Sequence, residues 1–404
     1  MTTFDCSPEA ARSALSLFEE PPGDATSAAD RYATVVWCHL TEPGDSIAHR
    51  VVASRGAAAA LRAVVEDAPL PELTGRERAD ARKRWLPRLS ARDVADALRI
   101  AHARDVSLVT ARDATWPTQL DDLDVHAPLC LWVRGDPAAL TRLRPSVALV
   151  GARAASSYGD HVAMELAADL AGGGIPVVSG GAYGIDGAAH RAALAVGGLT
   201  VALLAGGAER AYPAGHTRLI DDVVATGAVA SEVPCGSAPT KWRFLQRNRL
   251  IAAIADATVV VEAGWRSGSL NTAGHAAALS RQLGAVPGPI TSATSAGTHR
   301  LLREFGAACI TGAQDVREML GMTGGSCAPP EASTTSRGTE TDPRTDDTTR
   351  VRDALSTRTW RDASDIARRA GMTPADTEGV LGLLQLEGSA QRASAGWRLT
   401  SNAR

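Results

Sequence analysis

From about residue 106 to residue 322 the chain alternates short β-rich runs with helical runs, and this alternation restricts the possible folds more than any other feature. The candidate strands are 146–150, 175–179, 200–204, 228–231, 258–262, 282–286 and 308–311. Helical stretches such as 160–171 and 187–195 lie between several of them. A strand that returns parallel to its predecessor needs a crossover, usually a helix. Repeated β-α-β units therefore predict an α/β fold with a doubly wound, mostly parallel sheet. Ligands on such sheets bind beyond the carboxyl ends of the strands.

The flanks read differently. Residues 1–105 look helical: 57–65 is alanine-rich, and 90–102 has apolar residues at helical spacing. Arginines crowd 76–92, which reads as a solvated helix face before it reads as a DNA contact. Residues 323–349 are rich in Ser, Thr, Gly, Pro and Asp without an apolar period, as expected of a flexible linker. Beyond it, 350–355, 362–370 and 374–386 read as three helices and 389–400 as a hairpin. Helices followed by a hairpin have winged-helix texture. The expected domains are 1–105, 106–322 and 350–404, joined by the 323–349 linker.

Composition excludes some classes. The net charge of −3 rules out a globally basic DNA-coating protein, so any nucleic-acid surface must be local. Forty of the 42 basic residues are arginine. The six cysteines form no C-x-x-C pair and no Cys/His cluster at zinc spacing. They read as reduced thiols of a cytoplasmic protein, with no metal and no cofactor. The first residues have neither a basic start nor an apolar run, so no signal peptide is expected. No uninterrupted apolar stretch reaches the roughly 18 residues that span a bilayer, so no membrane partner is expected either.

Three loops follow strands and carry chemistry. The first is Gly151-Ala152-Arg153, with Ser156, Tyr158 and Gly159 behind it. A dinucleotide site would need a second glycine where Arg153 stands, because the backbone there approaches the pyrophosphate. An arginine suits a phosphate and not NAD. The second is Ser179-Gly180-Gly181-Ala182-Tyr183-Gly184-Ile185-Asp186, followed by Ala189-His190. Gly-rich turns between strand and helix let N–H groups face an anion, although ordinary tight turns look similar. His190 reads as a packed histidine. The third, Ser267-Gly268-Ser269, opens a helix after Glu262.

The most informative run is Lys241-Trp242-Arg243-Phe244-Leu245-Gln246-Arg247-Asn248-Arg249, with four cations, two aromatics and no acid. Cations neutralise phosphates and aromatics stack on bases, the combination single-strand binders use. Only 4% of the chain is aromatic, so interleaving them with cations argues against a merely solvated face. There is no G-x-S-x-G, H-E-x-x-H or Walker A pattern. Asp186, Glu232 and Glu262 sit near strand ends without an acid–base partner, and read as groups that order loops or arginines.

Taken in order, these motifs resemble the bacterial DNA-processing protein A family, also called Smf. The resemblance spans most of 116–311. It rests on Trp116-Pro117, Gln119-Leu120, Val150 to Arg153, Ser179 to His190, Tyr212-Pro213 and Ser231-Glu232-x-Pro234. It continues through Phe244-x-x-Arg247-Asn248-Arg249, Ser267-Gly268-Ser269-x-x-Thr272-Ala273 and Val286-Pro287-Gly288. It implies an extended Rossmann-like domain that binds single-stranded DNA and loads a RecA-type recombinase in natural transformation or related recombination, with no enzymatic activity. The implied DNA site comprises Arg153, Lys241, Phe244, Arg247, Asn248 and Arg249, with Ser179, Gly180, Gly181, Ser267, Gly268 and Ser269 lining the phosphates. The resemblance also implies a homodimer through 297–310, an N-terminal domain of SAM or helix–hairpin–helix type, and a C-terminal winged helix. Three positions depart from the family pattern: His216 where asparagine is usual, Leu245 where proline is common, and Tyr183 where a basic residue is frequent. The competing reading is a Rossmann-type nucleoside-monophosphate phosphoribohydrolase, which also uses glycine-rich loops and a glutamate at a strand end.

Overall fold

Apolar runs bounded by turns build a nine-stranded sheet: β1 (Val106–Thr110), β2 (Cys130–Gly135), β3 (Val147–Gly151), β4 (Val177–Ser179), β5 (Thr200–Leu204), β6 (Ala228–Ser231), β7 (Ala257–Glu262), β8 (Gln282–Ala285) and β9 (Ala308–Cys309). The order across the sheet is β1-β2-β6-β5-β4-β3-β7-β8-β9. Strands β6 to β9 pair in parallel, while β2 joins β6 and β1 joins β2 antiparallel. The coordinates are a computed structural model that describes residues 4, 5, 7–16, 18, 25–322, 347–370 and 372–400. The chain divides into two units, Met1–Met322 and Thr323–Arg404.

Among the described residues six α-helices precede the sheet: α1 (Pro8–Leu15), α2 (Ala25–Leu40), α3 (Ser46–Arg55), α4 (Ala57–Val65), α5 (Gly75–Trp85) and α6 (Ala91–Ala103). Trp37 and Trp85 meet edge to face at 5.0 Å in their centre. The apolar cluster they anchor continues into Leu108 of β1 and into Cys130 and Trp132 of β2, so the helices roof the antiparallel edge of the sheet. The arginines of α5 and its surroundings find acids: Arg82 pairs with Asp67, Arg84 with Asp45 and Arg88 with Glu42.

Between the parallel strands run α7 (Ser157–Gly172), α8 (Ile185–Ala195), α9 (Thr217–Thr226), α10 (Lys241–Ile254), α11 (Ser269–Ala278) and α12 (Ala296–Glu304), and α13 (Ala313–Met319) follows β9. Alternate residues of a strand face opposite sides. Val147 and Leu149 of β3 join a cluster with α7, α8 and α13. Ala148 and Val150 join one with α10, α11 and α12. The parallel strands are therefore covered on both faces, which explains why they are apolar throughout.

In the second unit, α14 (Asp347–Ala354), α15 (Ala363–Ala370) and α16 (Pro374–Leu386) pack around Val351, Ile366, Leu381, Leu384 and Trp397. The hairpin of β10 (Ala390–Ala393) and β11 (Gly396–Leu399) closes that core. Most of the expected 323–349 linker lies outside the described residues. Among the described residues no helix is long and apolar enough to cross a membrane.

Candidate nucleic-acid interface

Strand β3 lies between β4 and β7, and the chain leaves it for β4 on one side and reaches β7 on the other, so the strand order reverses there. Such a reversal opens a crevice at the carboxyl edge. The Ala152 N–H donates to the Glu262 carbonyl at 2.7 Å, pinning the loop after β3 to the end of β7. Gly151 permits that approach: a Cβ there would lie 2.5 Å from Ile185 Cγ1.

This loop brings Arg153 to the surface, where its guanidinium carbon lies 4.7 Å from the centre of the Phe244 ring. A cation over an aromatic face gains about 0.5–2 kcal/mol. Phe244 comes from the first turn of α10, which Thr240 caps by accepting the Arg243 N–H. Tyr212, on the loop after β5, packs on Phe244 at 5.5 Å with the rings tilted by 53°. Lys241 is exposed at the start of α10, and its ammonium has no hydrogen bond or ion pair among the described residues.

The other cations of the run turn inward. Arg243 donates Nε and Nη2 to the Glu42 carboxylate at 2.9 and 3.0 Å. Arg247 donates Nη1 to the carbonyls of Gly180 and Leu203, each at 2.6 Å. Arg249 grips Glu232 with two bonds of 2.7 Å and gives Nε to the His126 carbonyl. Asn248 donates to the Gly268 carbonyl and to Asn271 Oδ1. From Arg247 onward α10 is buried. A charge in such a place persists only when paired. Geometry thus splits the sequence-derived set. Arg153 meets Phe244 at the surface and Lys241 is exposed three residues before Phe244 on α10, whereas Arg247, Asn248 and Arg249 have internal partners beneath it.

The glycine-rich loop after β4 already holds the carboxyl group of Asp186. The N–H groups of Gly180 and Ala182 donate to Asp186 Oδ2 at 3.2 and 3.4 Å. Ser179 is buried and donates to the Leu149 carbonyl. Gly180 makes room for Arg247: a Cβ there would lie 2.2 Å from Nη1 and displace the guanidinium. Gly181 takes a φ of +66°, which suits glycine. Burial pushes the Asp186 carboxyl up, against the pull of Arg247 and Arg153. Burial also lowers Arg247 to about 10, so it stays charged at neutral pH. His216 braces the same loop. Its Nδ1 lies 3.0 Å from the Gly181 carbonyl, and its ring meets Tyr183 edge-on at 4.8 Å. Two of the departures from the family pattern are thus packed against each other.

Ser267 and Ser269 share a hydrogen bond between hydroxyls at 2.8 Å, with Gly268 exposed between them, where α11 begins. Glu262 is 2% exposed and accepts from the Ser156 N–H and the Thr294 hydroxyl. Asp186, Glu232 and Glu262 thus each order a loop or an arginine, as the sequence suggested. His190 is fully buried, with Nδ1 2.7 Å from Thr200 Oγ1. The Thr200 hydroxyl spends its proton on the Val177 carbonyl, so Nδ1 carries the imidazole proton. Two participants escaped the sequence reading. Tyr212 was only part of a motif, and Glu42 lies 201 residues from Arg243.

The sequence model for DNA recombination-mediator protein A matches residues 107–321. A putative DNA processing protein DprA of Mycobacterium tuberculosis is 45% identical over 316 residues, covering 76% of this chain and 80% of that one. Protein Smf of Escherichia coli K12 is 38% identical over 214 residues, covering 53% of this chain and 56% of its own. The X-ray structure of DNA processing protein A from Streptococcus pneumoniae superposes with a TM-score of 0.58 at 30% identity, over 71% of this chain and 97% of that one. With the matched region spanning more than half of its length, the chain belongs to the DNA recombination-mediator protein A family.

Proposed function

We propose that this chain is a recombination mediator that binds single-stranded DNA at the carboxyl edge of β3, β5 and β7 and delivers it to a RecA-type recombinase. The observation that carries the reading is the pairing of exposed Arg153 with half-buried Phe244, beside exposed Lys241 on the same helix turn, near the point where strand order reverses. It offers cations for phosphates beside aromatic rings for bases. Ser267, Gly268 and Ser269 contribute backbone and hydroxyl donors at the start of α11. Ser179, Gly180, Gly181, Arg247, Asn248 and Arg249 hold the surface in shape from below.

The protein acts without catalytic turnover or cofactor. The hydrolase reading would need Glu262 free to act, yet both of its carboxylate oxygens are engaged by Ser156 and Thr294. It works in the cytoplasm as a homodimer through 297–310. The C-terminal unit is a winged helix used for protein contact rather than for reading DNA. Its helix α16 presents Asp376 and Glu378 and has no Arg or Lys, and phosphates would repel it.

Titrating labelled oligo-dT with the full chain tests the reading, and saturable binding that weakens with salt is expected. Absence of binding would refute it. Release of a base from a nucleoside monophosphate that disappears in Glu262→Gln would establish the hydrolase instead.

A further inference from the structure

Phe244 is poorly placed to receive a base unaided. Arg153 lies 4.7 Å from its ring centre and Arg247 5.8 Å, with Tyr212 packed against it at 5.5 Å. The ring is also only partly exposed. Tyr212 is different. It is 48% exposed on the loop after β5, and its hydroxyl has no partner among the described residues. Other exposed aromatics are not tied to the Arg153–Phe244 pair: the Trp265 ring carries Arg300 at 5.4 Å, and Trp242, 54% exposed, has no ring or cation contact among the described residues to set it beside Arg153.

Resting on the single-strand reading above, we propose that Tyr212 is the base-stacking surface of the site, and that Phe244 is the platform holding Tyr212 and Arg153 side by side. The ligand is an unpaired nucleobase whose flanking phosphate reaches Arg153. Stacking needs a π-face open to solvent and tolerates any base. Tyr212 supplies that face, Phe244 fixes its tilt, and Arg153 supplies the charge one ring away.

The test uses the full chain and oligo-dT containing one 2-aminopurine, whose fluorescence is quenched by stacking. Tyr212→Leu keeps bulk but removes the ring. It should bind about 5- to 140-fold more weakly, with an unchanged salt slope and with the quench lost. Tyr212→Phe and Tyr212→Trp should keep both affinity and quench. Wild-type affinity and quench in Tyr212→Leu, beside weakened Arg153→Ala, would overturn the assignment and leave the single-strand reading standing. Equal losses in the Leu, Phe and Trp variants would also overturn it, because the loop and not the ring would then matter. Failure of the wild type to bind oligo-dT would sink the single-strand reading itself.

Discussion

Salt dependence of binding gives a sharp test of how the cations are used. Counted along the sequence, Lys241, Arg243, Arg247, Arg249 and Arg153 offer five positive charges. Each phosphate contact on a single strand contributes about −0.7 to the slope of log K against log salt, so five would give about −3.5. In the fold Arg243 is held by Glu42, Arg247 by two carbonyls and Arg249 by Glu232. Arg153 and Lys241 remain, giving about −1.4, or about −2.1 if exposed Arg266 also contacts the strand. Between 50 and 200 mM salt the affinity should then fall about 7- to 18-fold, against about 130-fold for five contacts. Fluorescence anisotropy with labelled oligo-dT at several NaCl concentrations measures this directly. Arg153→Ala and Lys241→Ala should each flatten the slope by about 0.7, and Arg243→Ala should leave it unchanged. A wild-type slope near −3.5, or a folded Arg249→Gln protein whose slope is flattened by a full contact, would refute the partition.

Three further outcomes follow from the same packing. Gly180→Ala pushes a methyl into the Arg247 guanidinium and should cost about 1–3 kcal/mol or more of stability in urea melts, because the displaced cation loses two buried carbonyls. Burial lowers His190 to about 3 from its ordinary 6.5. Its neutral form is favoured in the fold, so stability is full above pH 6.5 and falls as pH drops from there toward 3, by up to about 1.4 kcal/mol per unit. Denaturation followed across that range should show His190→Gln flattening the dependence by about one proton. Removing 350–404 should leave oligo-dT affinity within a few-fold of the full chain, as anisotropy would show, and the detached tail should leave no footprint on duplex DNA.

The parallel strands were legible because burial on both faces makes them apolar without interruption, as in β5 and β7, whose residues are all buried. Strands β1 and β2 were not singled out. They pair antiparallel with no crossover helix between them, so the β-α-β rhythm does not mark them. The cation-rich run of α10 was legible as charge but not as destination. A linear pattern shows that Arg249 and Arg243 are positive; it does not show that Glu232 and Glu42 wait for them. The glycines after β4 were read as a cradle for an outside anion. In the fold the nearest carboxylate, Asp186 six residues away, fills that place. The exposure of Arg153 was easier to anticipate, because a bulky cation two residues after a strand-ending glycine has few structural uses.

The helical roof over β1 and β2 has a consequence for inheritance. Leu108, Cys130 and Trp132 are covered by residues from α1 to α6, and Trp132 has no exposed surface at all. A genome could not trade this N-terminal part for an unrelated one as if exchanging a cassette. Any replacement would need apolar residues cut to the same three side chains, and an acid in place of Glu42 to keep Arg243 neutralised. Without them the bared indole and the orphaned guanidinium would leave the remaining sheet sticky and prone to precipitate. Changes at Glu42 and Arg243 should therefore be matched by changes in each other.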